Sequence, residues 1–264
     1  MPLRSEIKYI VPIYKMGMLR EMITPFVELD KFARGREGNH YTVKSIYFDS
    51  PQFYFYNEKI QHEKHRKKVR MRGYNDENPT NTVFMEIKRK YEGPIFKNRA
   101  PMEFQQALEI LAGKNIDDYV KNSKKFPDAT GNTKRFMYQM FKLNLRPVVN
   151  VIYEREPFLG KNNGTIRVTF DKNLRSSPYP SVNDLYNEKR IRYALKEYFI
   201  LEVKYNDYYP SWMKPIIGTL GLKKEPASKY TMCIDSHNML NKVQSKAGLT
   251  FARFFNNNNN HQYN

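Results

Sequence analysis

The chain has 264 residues and carries 45 Lys and Arg against 27 Asp and Glu, a formal net charge of +18 at neutral pH. Its mean hydropathy is −0.76, and no stretch approaches the roughly 18 apolar residues that a membrane-spanning helix needs, so we expect no integral membrane protein. The excess of positive charge favours a polyanionic partner: nucleic acid, an anionic membrane surface, or a phosphorylated small molecule or polymer.

Several features bear on location and domain organisation. Cys233 is the only cysteine, which excludes an internal disulfide, and residues 1–6 lack the apolar segment of a signal peptide. We therefore expect a cytoplasmic protein. No stretch is typical of an interdomain linker, so residues 1–255 are predicted to form a single domain. The asparagine-rich residues 256–264 are predicted to be a disordered tail.

Alternating and helical patterns predict an α+β fold. Alternation of polar and apolar residues, the mark of strands with one polar face, occurs at residues 4–9, 42–49, 65–74, 82–90, 148–156, 165–171 and 198–205. Helical periodicity occurs at residues 16–32, with a bend or break near Pro25, and at 102–111, 133–145, 211–220 and 234–255. Long strands joined by hairpins or helical excursions indicate a domain built on an antiparallel sheet.

The polar faces of the predicted strands carry mostly positive charge. Side chains two residues apart in a strand share a face, which places Arg70 and Arg72 together, opposite Val69 and Met71. Glu-x-Lys pairs recur on other strands at Glu6/Lys8, Glu86/Lys88 and Glu202/Lys204.

Two interpretations of these faces are open. Each face can be the solvated side of a sheet whose other side packs on helices, which is the common arrangement. Like charges at adjacent positions of one face, however, are destabilising unless an anion compensates them. A sheet that curls until the charged faces converge would form a tunnel lined with guanidinium and ammonium groups, and closing it would remove the sheet edges.

Nine short motifs in order carry a resemblance to a known family. They are Glu6-Ile7-Lys8-Tyr9, Ser45-Ile46-Tyr47-Phe48-Asp49, Lys68-Val69-Arg70-Met71-Arg72, Glu86-Ile87-Lys88, Phe96-Lys97-Asn98-Arg99, Tyr153-Glu154-Arg155, Ile166-Arg167-Val168-Thr169-Phe170-Asp171, Leu201-Glu202-Val203-Lys204 and Ser228-Lys229-Tyr230. Over residues 4–230 the chain resembles the VTC-domain polyphosphate polymerases, a branch of the triphosphate tunnel metalloenzymes of the CYTH-like superfamily. The resemblance implies an antiparallel eight-stranded β-barrel tunnel with surrounding helices.

The resemblance also implies roles for individual residues, with ATP and polyphosphate as ligands. Contacts to the phosphates at the catalytic centre are implied for Lys8, Arg70, Arg72, Lys88, Tyr153, Arg155, Arg167 and Lys229. Further phosphate contacts are implied for Lys97, Arg99, Lys204 and Ser228, although Lys97 and Arg99 could equally lie in a solvated loop. Glu202 is implied to hold a divalent metal, Mn²⁺ or Mg²⁺, and the alternative is a plain ion pair with Lys204 or an arginine. We interpret Glu6 and Glu86 as structural partners that keep the cations apart.

One departure from the family pattern concerns the first strand. The hydrolase and cyclase relatives begin with Glu-x-Glu-x-Lys, whereas here Arg4 stands at the first acidic position. One carboxylate fewer weakens a multi-metal site and favours a long polyanion over a metal-activated water. The yeast-type polymerases carry additional domains and membrane helices, which we do not expect in this chain. A membrane-protein partner is nevertheless compatible with it.

The sequence leaves four functions open. The leading hypothesis is an ATP:polyphosphate phosphotransferase that transfers the γ-phosphate of ATP to a growing chain. The alternatives are a metal-dependent triphosphatase of the same fold, a non-catalytic polyphosphate-binding module, and a nucleic-acid-binding protein. The last is disfavoured because the aromatic residues, Tyr153 excepted, mostly fall on the apolar faces of the strands and not on the basic ones. The five scattered histidines indicate no histidine-based metal site.

Overall fold

The computed structural model describes residues 5–78, 80–92, 95–162 and 164–240, and its core is one antiparallel sheet. The strands are β1 (Ser5–Pro12), β2 (Val27–Leu29), β3 (Tyr41–Asp49), β4 (His65–Tyr74), β5 (Thr82–Tyr91), β6 (Ile95–Glu103), β7 (Arg146–Gly160), β8 (Arg167–Pro178), β9 (Arg192–Tyr193) and β10 (Tyr198–Tyr205). The helices are α1 (Met16–Ile23), α2 (Tyr54–Ile60), α3 (Phe104–Leu111), α4 (Ile116–Tyr119), α5 (Ala129–Lys142), α6 (Met213–Thr219) and α7 (Lys229–Ser236). Within these ranges, no helix has the length and apolar character to cross a membrane.

Eight strands form the main path of the sheet, in the order β1-β10-β8-β7-β3-β4-β5-β6. The short strands β2 and β9 pair with β7 and β8 beside this path. Neighbouring strands along the path are antiparallel, as in the ladders β1–β10, β3–β4 and β4–β5. The α+β fold and the eight-stranded antiparallel sheet with surrounding helices are therefore confirmed.

The sheet does not close into a hydrogen-bonded barrel, and this part of the sequence prediction is wrong. Within the described residues no ladder joins β1 to β6. The free edge of β1 is occupied by the segment before α7. The backbone N–H of Glu225 donates to the Lys8 carbonyl over 2.9 Å, and Tyr9 forms an antiparallel bridge with Lys224. Because this segment already satisfies polar groups along that edge, those groups cannot pair with β6.

The sheet is nevertheless strongly rolled. In a flat sheet, six strand spacings of about 4.8 Å would separate β1 from β5, about 29 Å in all. Instead, Lys88 Nζ on β5 lies 3.8 Å from Glu6 Oε2 on β1. The charged side of the sheet is therefore on the inside, and we call it the concave face: the side that bears Glu6, Lys88 and the residues in register with them.

Apolar layers cover the outer side of the sheet. One layer joins β4, β5 and β6 to α3 and α5, with Met71, Met85 and Phe136 at its centre. Another joins β1, β8 and β10 to α1 and α6, with Leu19 and Leu201 among its buried residues. Because side chains alternate along a strand, burying these positions turns the basic positions between them to the concave face.

Helix α7 covers part of the concave face itself. Its Tyr230 ring stacks on Tyr47 of β3, with 4.9 Å between the ring centroids. Tyr47 pairs with Arg70 across β3 and β4, which places it on the charged side of the sheet. Val43 and Val151 join the same apolar cluster. The concave face thus has an apolar part under α7 and a charged part beyond it.

The strands predicted from alternation correspond to β1, β3, β4, β5, β7, β8 and β10. The prediction missed β6, because Ile95–Glu103 lacks continuous alternation and contains Pro101. A proline is tolerated there because β6 ends the strand path, where one side of the strand carries no ladder. The placement of Lys97 and Arg99 on β6 also excludes the solvated-loop alternative for them.

The helix predictions are correct for three segments. Helices α3, α5 and α6 confirm the predictions for residues 102–111, 133–145 and 211–220, with shifted ends. For residues 16–32 the break predicted near Pro25 is confirmed, since α1 ends at Ile23, two residues before the proline. The helix predicted beyond the break is wrong, because β2 follows there.

The helix predicted for residues 234–255 is present at residues 234–236, as the end of α7, and is wrong for residues 237–240. Helix α7 begins at Lys229 and ends at Ser236, and Asn238 adopts a left-handed φ of 51°. Residues 241–255, the predicted tail at 256–264 and Arg4 lie outside the described residues. The division into one domain and a tail stays a prediction.

A hydrogen-bond network fixes α7 against β3 and α2. Tyr230 Oη donates to Asp49 Oδ2 over 2.5 Å at the end of β3. The buried Asp49 carboxylate also accepts the backbone N–H groups of Phe55 and Tyr56, each over 2.9 Å. Tyr56 Oη in turn donates to Asp235 Oδ1 of α7 over 2.5 Å. Two carboxylates therefore fix α7 against β3 and α2, which are neighbours in sequence and lie far from α7 along the chain.

We predict that Tyr230→Phe lowers the free energy of unfolding by about 1–3 kcal/mol, because it removes a buried hydrogen bond to a carboxylate and leaves the ring packing intact. Urea denaturation followed by circular dichroism measures the change. Tyr138→Phe, at an exposed position of α5, is the matched control and should change stability by less than about 0.5 kcal/mol. Equal effects of the two substitutions would contradict the anchoring role of Tyr230.

Candidate functional site

The charged part of the concave face collects side chains from seven strands of the main path and from α7. The predicted site residues found there are Lys8 of β1, Arg70 and Arg72 of β4, Lys88 of β5, Lys97 and Arg99 of β6, Tyr153 and Arg155 of β7, Glu202 and Lys204 of β10, and Ser228 and Lys229 at the start of α7. Arg167 of β8 lies in register with Lys204 on the same face. The structure therefore brings the predicted residues to one face, and their functional roles stay predictions.

Glu86 is the centre of one group of cations. Its side chain is 1% exposed, and it lies in register with Arg70 on one side and Arg99 on the other. Arg70 Nη2 is 2.7 Å from Glu86 Oε2, and Arg99 Nε is 2.9 Å from Oε1. Arg72 and Lys97 approach the same carboxylate to 3.3 Å. Burial raises the pKa of Glu86, but Arg70, Lys97 and Arg99 outweigh burial, and the pKa falls to about 2.

A second group is built on Asp171, which is fully buried on β8. Arg155 binds it with two parallel bonds, Nε to Oδ1 over 2.7 Å and Nη2 to Oδ2 over 2.8 Å. Lys229 Nζ lies 2.5 Å from Oδ2. Burial raises the pKa of Asp171, and the charges of Arg155 and Lys229 more than reverse this effect. The carboxylate therefore stays ionised and holds two of the predicted phosphate-binding residues.

Glu202 and Glu6 continue this group across β10 and β1. Lys204 Nζ is 2.7 Å from Glu202 Oε1 and 3.8 Å from Glu6 Oε2, and Arg155 Nη2 is 3.6 Å from Glu202 Oε2. Lys8 Nζ lies 2.8 Å from Glu6 Oε1. Burial raises the pKa of Glu202, yet Lys204 and Lys8 bring it well below the usual value. The interpretation of Glu6 and Glu86 as spacers between cations agrees with these contacts.

The start of α7 connects strands on opposite sides of the roll. Ser228 caps the helix, accepting the N–H of Thr231, and also accepts a hydrogen bond from Lys68 Nζ over 2.8 Å. Lys8 Nζ donates to the Ala227 carbonyl over 3.2 Å. Together with the contact of Lys229 to the carboxylate on β8, these bonds tie β1, β4 and β8 to one helix terminus.

Three tyrosines lie among the cations. Tyr47 Oη accepts from Arg70 Nη1 over 2.8 Å, and Tyr41 Oη accepts from Arg167 Nη2 over 3.4 Å. The Tyr153 ring centroid is 4.8 Å from Lys229 Nζ, and burial raises the pKa of Tyr153 to about 12. Tyr153 is therefore not the only aromatic side chain on the basic face. Tyr47 and Tyr153 are buried, however, so they offer no open surface on which bases could stack.

The predicted metal ligand Glu202 has few other oxygen ligands near it among the described residues. In the ranges that the structure describes, no three His, Cys, Asp or Glu side chains are grouped to hold a metal ion. Thr169 lies in register with Glu202, and its buried Oγ1 has no hydrogen-bond partner among these residues. One carboxylate and one hydroxyl fit a cation that takes most of its oxygen ligands from phosphates and water.

Sequence reasoning missed several contributors to the site. Alternation places Asp171 on the face of Arg167, but the sequence assigns it no role. The sequence also assigns no role to Tyr47, which alternates with Ser45. Asp30, whose Oδ2 is 3.3 Å from Arg167 Nη2, gave no signal because it follows β2 in a turn. Lys68 shares its strand face with Arg70 and was given no role either.

We predict that Glu86→Gln lowers the free energy of unfolding by about 3–5 kcal/mol, because four cations lose their shared counter-charge. The loss of stability is measured by thermal denaturation with and without inorganic tripolyphosphate. The ligand should raise the melting temperature of the variant more than that of the wild type. Since the pKa of Glu86 is lowered from 4.5 to about 2, its contribution is complete above about 4.5 and is lost towards about 2.

The control for this prediction is Asp117→Asn, which removes an exposed partner of Lys134. Its effect should be within about 1 kcal/mol. If the two variants were equally stable, or if tripolyphosphate stabilised Glu86→Gln no more than the wild type, Glu86 would not be the counter-charge of this group.

Comparison with known proteins places these features in a family. Residues 3–238 match the VTC domain family. Vacuolar transporter chaperone complex subunit 4 of Schizosaccharomyces pombe is 23% identical over 212 residues, which cover 67% of this chain and 29% of that protein. The chain therefore spans less than a third of the length of that relative.

Solved structures show only distant similarity. A putative adenylate cyclase from Bacillus halodurans has a TM-score of 0.43 and 12% identity, covering 93% of this chain and 99% of that one. A putative adenylyl cyclase from Hippeastrum, described as having a dominant triphosphatase activity, has a TM-score of 0.46 and 13% identity, covering 92% and 99%. The assignment therefore rests on the family match, which covers most of the chain: this protein belongs to the VTC domain family.

Proposed function

We propose that this chain is an ATP-dependent polyphosphate polymerase that works on the charged part of the concave face. The observation that carries the proposal is the excess of cations over acids there. Glu6, Glu86, Asp171 and Glu202 are each in contact with at least two Lys or Arg side chains, and further cations remain. Such an excess suits a ligand with many closely spaced negative charges, and polyphosphate carries about one charge per phosphate at neutral pH.

The reaction would proceed by in-line phosphoryl transfer. A terminal oxygen of the polyphosphate chain attacks the γ-phosphorus of ATP, a new P–O–P bond forms, and the bond to the bridging oxygen of ADP breaks, so that ADP leaves with the electron pair. Little covalent help from the protein is needed, because positioning and charge neutralisation lower the barrier. Positioning and charge neutralisation would both come from the cations Lys8, Arg70, Arg72, Lys88, Arg155, Arg167 and Lys229. Tyr153 would act as a hydrogen-bond donor.

Two of these arginines have donors that are ready for a ligand. The buried Nε atoms of Arg72 and Arg167 have no hydrogen-bond acceptor among the described residues. Arg155, in contrast, already uses two donors on Asp171. We infer that Arg72 and Arg167 contact phosphate most directly, and that Arg155 mainly holds Asp171 and Glu202 in place while its remaining donor faces the ligand.

A divalent cation would bridge phosphate oxygens and neutralise charge that Lys and Arg cannot reach. Glu202, with the hydroxyl of Thr169 in register, would hold it. Lys97, Arg99, Lys204 and Ser228 would contact phosphates farther along the chain. The fission yeast relative is named as a subunit of a complex, and a membrane-protein partner and a cytoplasmic location stay predictions for this chain.

The test of the proposal is incubation with ATP and Mn²⁺ or Mg²⁺, followed by sizing of the phosphate products. We expect long polyphosphate and ADP. Arg70→Ala should reduce the rate of polyphosphate synthesis on the order of 10²-fold or more. Arg70→Lys should reduce it less, because lysine keeps the positive charge but lacks the planar guanidinium that can bind two phosphate oxygens. Arg135→Ala, at an exposed ion pair of α5, is the control. Accumulation of orthophosphate alone, with either metal, would favour the triphosphatase alternative. Binding of polyphosphate without any turnover of ATP would favour the non-catalytic binding module.

We predict that Glu202→Gln abolishes turnover while tripolyphosphate still binds, because the cations remain and only the metal-holding charge is removed. Turnover is measured as ADP release, and binding by calorimetry without metal. Glu28→Gln, which alters an exposed partner of Arg34, is the control. If Glu202→Gln kept full activity with an unchanged metal requirement, Glu202 would be only an ion-pair partner and Glu6 the next candidate ligand.

A further inference from the structure

Lys68 differs in its contacts from six other cations of the concave face. These six cations each lie within 4.0 Å of a carboxylate oxygen, and they are Lys8, Arg70, Lys88, Arg155, Lys204 and Lys229. Within the described part of the chain, Lys68 has no acidic partner at that distance. Its Nζ donates only to the hydroxyl of Ser228, over 2.8 Å, and lies 5.9 Å from the Tyr230 ring centroid.

The surroundings of Lys68 are positively charged on several sides. Lys88 lies directly opposite it across β4 and β5. Lys8 of β1 approaches from across the roll, where its Nζ donates to the carbonyl of Ala227, the neighbour of Ser228. Lys8 and Lys88 both contact Glu6, whereas no carboxylate oxygen lies within 4.0 Å of Lys68 Nζ among the described residues. Like charges at directly opposed positions destabilise a sheet, and Lys68 faces Lys88 without an acid of its own in this part of the chain.

We propose that Lys68 is a further phosphate-binding residue of this chain, and that it takes up a proton from solution when a triphosphate group or polyphosphate binds. In the free protein the ammonium form of Lys68 is disfavoured, and the Nζ hydrogen-bonds only the neutral hydroxyl of Ser228 among the described residues. The arriving phosphate supplies the missing negative charge, and the amine becomes an ammonium ion that contacts it. The inference deepens the proposed function and rests on it for the identity of the ligand.

The electrostatics agree with this geometry. Burial lowers the pKa of Lys68 well below the ordinary value for lysine, and Lys8 and Lys88 lower it further. Lys59 of α2 and Arg70 add contributions of the same sign. The pKa of Lys88 is also lowered, to about 8, mainly by burial. Because a bound phosphate raises the pKa of an amine beside it, the complex holds more protons than the free protein and ligand together.

Lys68 also affects the free protein. A base whose pKa is lowered on folding reduces stability at every pH below its unfolded value, because the unfolded chain binds the extra proton. Lys68→Met keeps a long apolar side chain and removes the charge, so it should raise the melting temperature without ligand. The same substitution should reduce the stabilisation that tripolyphosphate gives, since one phosphate contact is lost.

The experiment is isothermal titration calorimetry with inorganic tripolyphosphate at one neutral pH, in two buffers of different ionisation enthalpy. The difference in binding enthalpy gives the number of protons taken up. We expect the wild type to take up more protons than Lys68→Arg, by up to about one per ligand, because arginine stays charged throughout. Lys67→Met, which changes the neighbouring residue on the opposite face of β4, should take up as many protons as the wild type.

Lys68→Arg keeps the test decisive if Lys68→Met does not fold. The inference is overturned if Lys68→Arg takes up as many protons as the wild type, or if Lys68→Met binds tripolyphosphate as tightly as Lys67→Met. These outcomes leave the proposed function intact, since the wild type still binds. Failure of the wild type itself to bind tripolyphosphate would instead contradict the proposed function.

Discussion

The arrangement of this protein depends on an imbalance of charge inside a rolled sheet. Cations from seven strands and one helix terminus meet on the concave face, and a few carboxylates are shared among them. Charges that are partly removed from water interact strongly, so each shared acid holds several cations in fixed positions. The positive charge that remains unpaired destabilises the folded protein without ligand and favours binding of a polyanion. The same repulsion between cations therefore limits the stability of the free protein and contributes to its affinity for a polyanion.

The remainder of the fold maintains this imbalance. Apolar residues at alternate strand positions are buried under α1, α3, α5 and α6, and their burial forces the basic positions inward. Helix α7 closes the apolar part of the concave face and sets Ser228 and Lys229 against the charged part. Asp49 and Tyr230 fix that helix from beneath, although neither is among the residues that would contact phosphate.

The shared carboxylates also bear on catalysis. A guanidinium that is held by Glu86 or Asp171 needs little reorganisation when phosphate arrives, and preorganised charge is the main source of rate in phosphoryl transfer. The cations are not equivalent in this respect. Arg155 already uses two donors on Asp171, and Arg72 and Arg167 have buried Nε atoms without an acceptor in the described structure. Lys68 has no carboxylate within 4.0 Å among the same residues and donates to the hydroxyl of Ser228. These differences suggest a division between residues that shape the site and residues that contact the ligand.

The sequence by itself determined the local features of this protein. Period-two alternation located β4 and β10 to the residue and placed Arg70 and Arg72 on one face, because side-chain direction in a strand depends only on position along it. The ordered motifs indicated the family. The tertiary structure alone decided which charges meet: Glu86 collects cations from β4 and β6, Lys88 reaches Glu6 across the roll, and residues 224–225 take the edge of β1. These contacts depend on strand order, curvature and the path of the segment before α7. They join residues far apart in the chain, and no local pattern encodes which of them become neighbours.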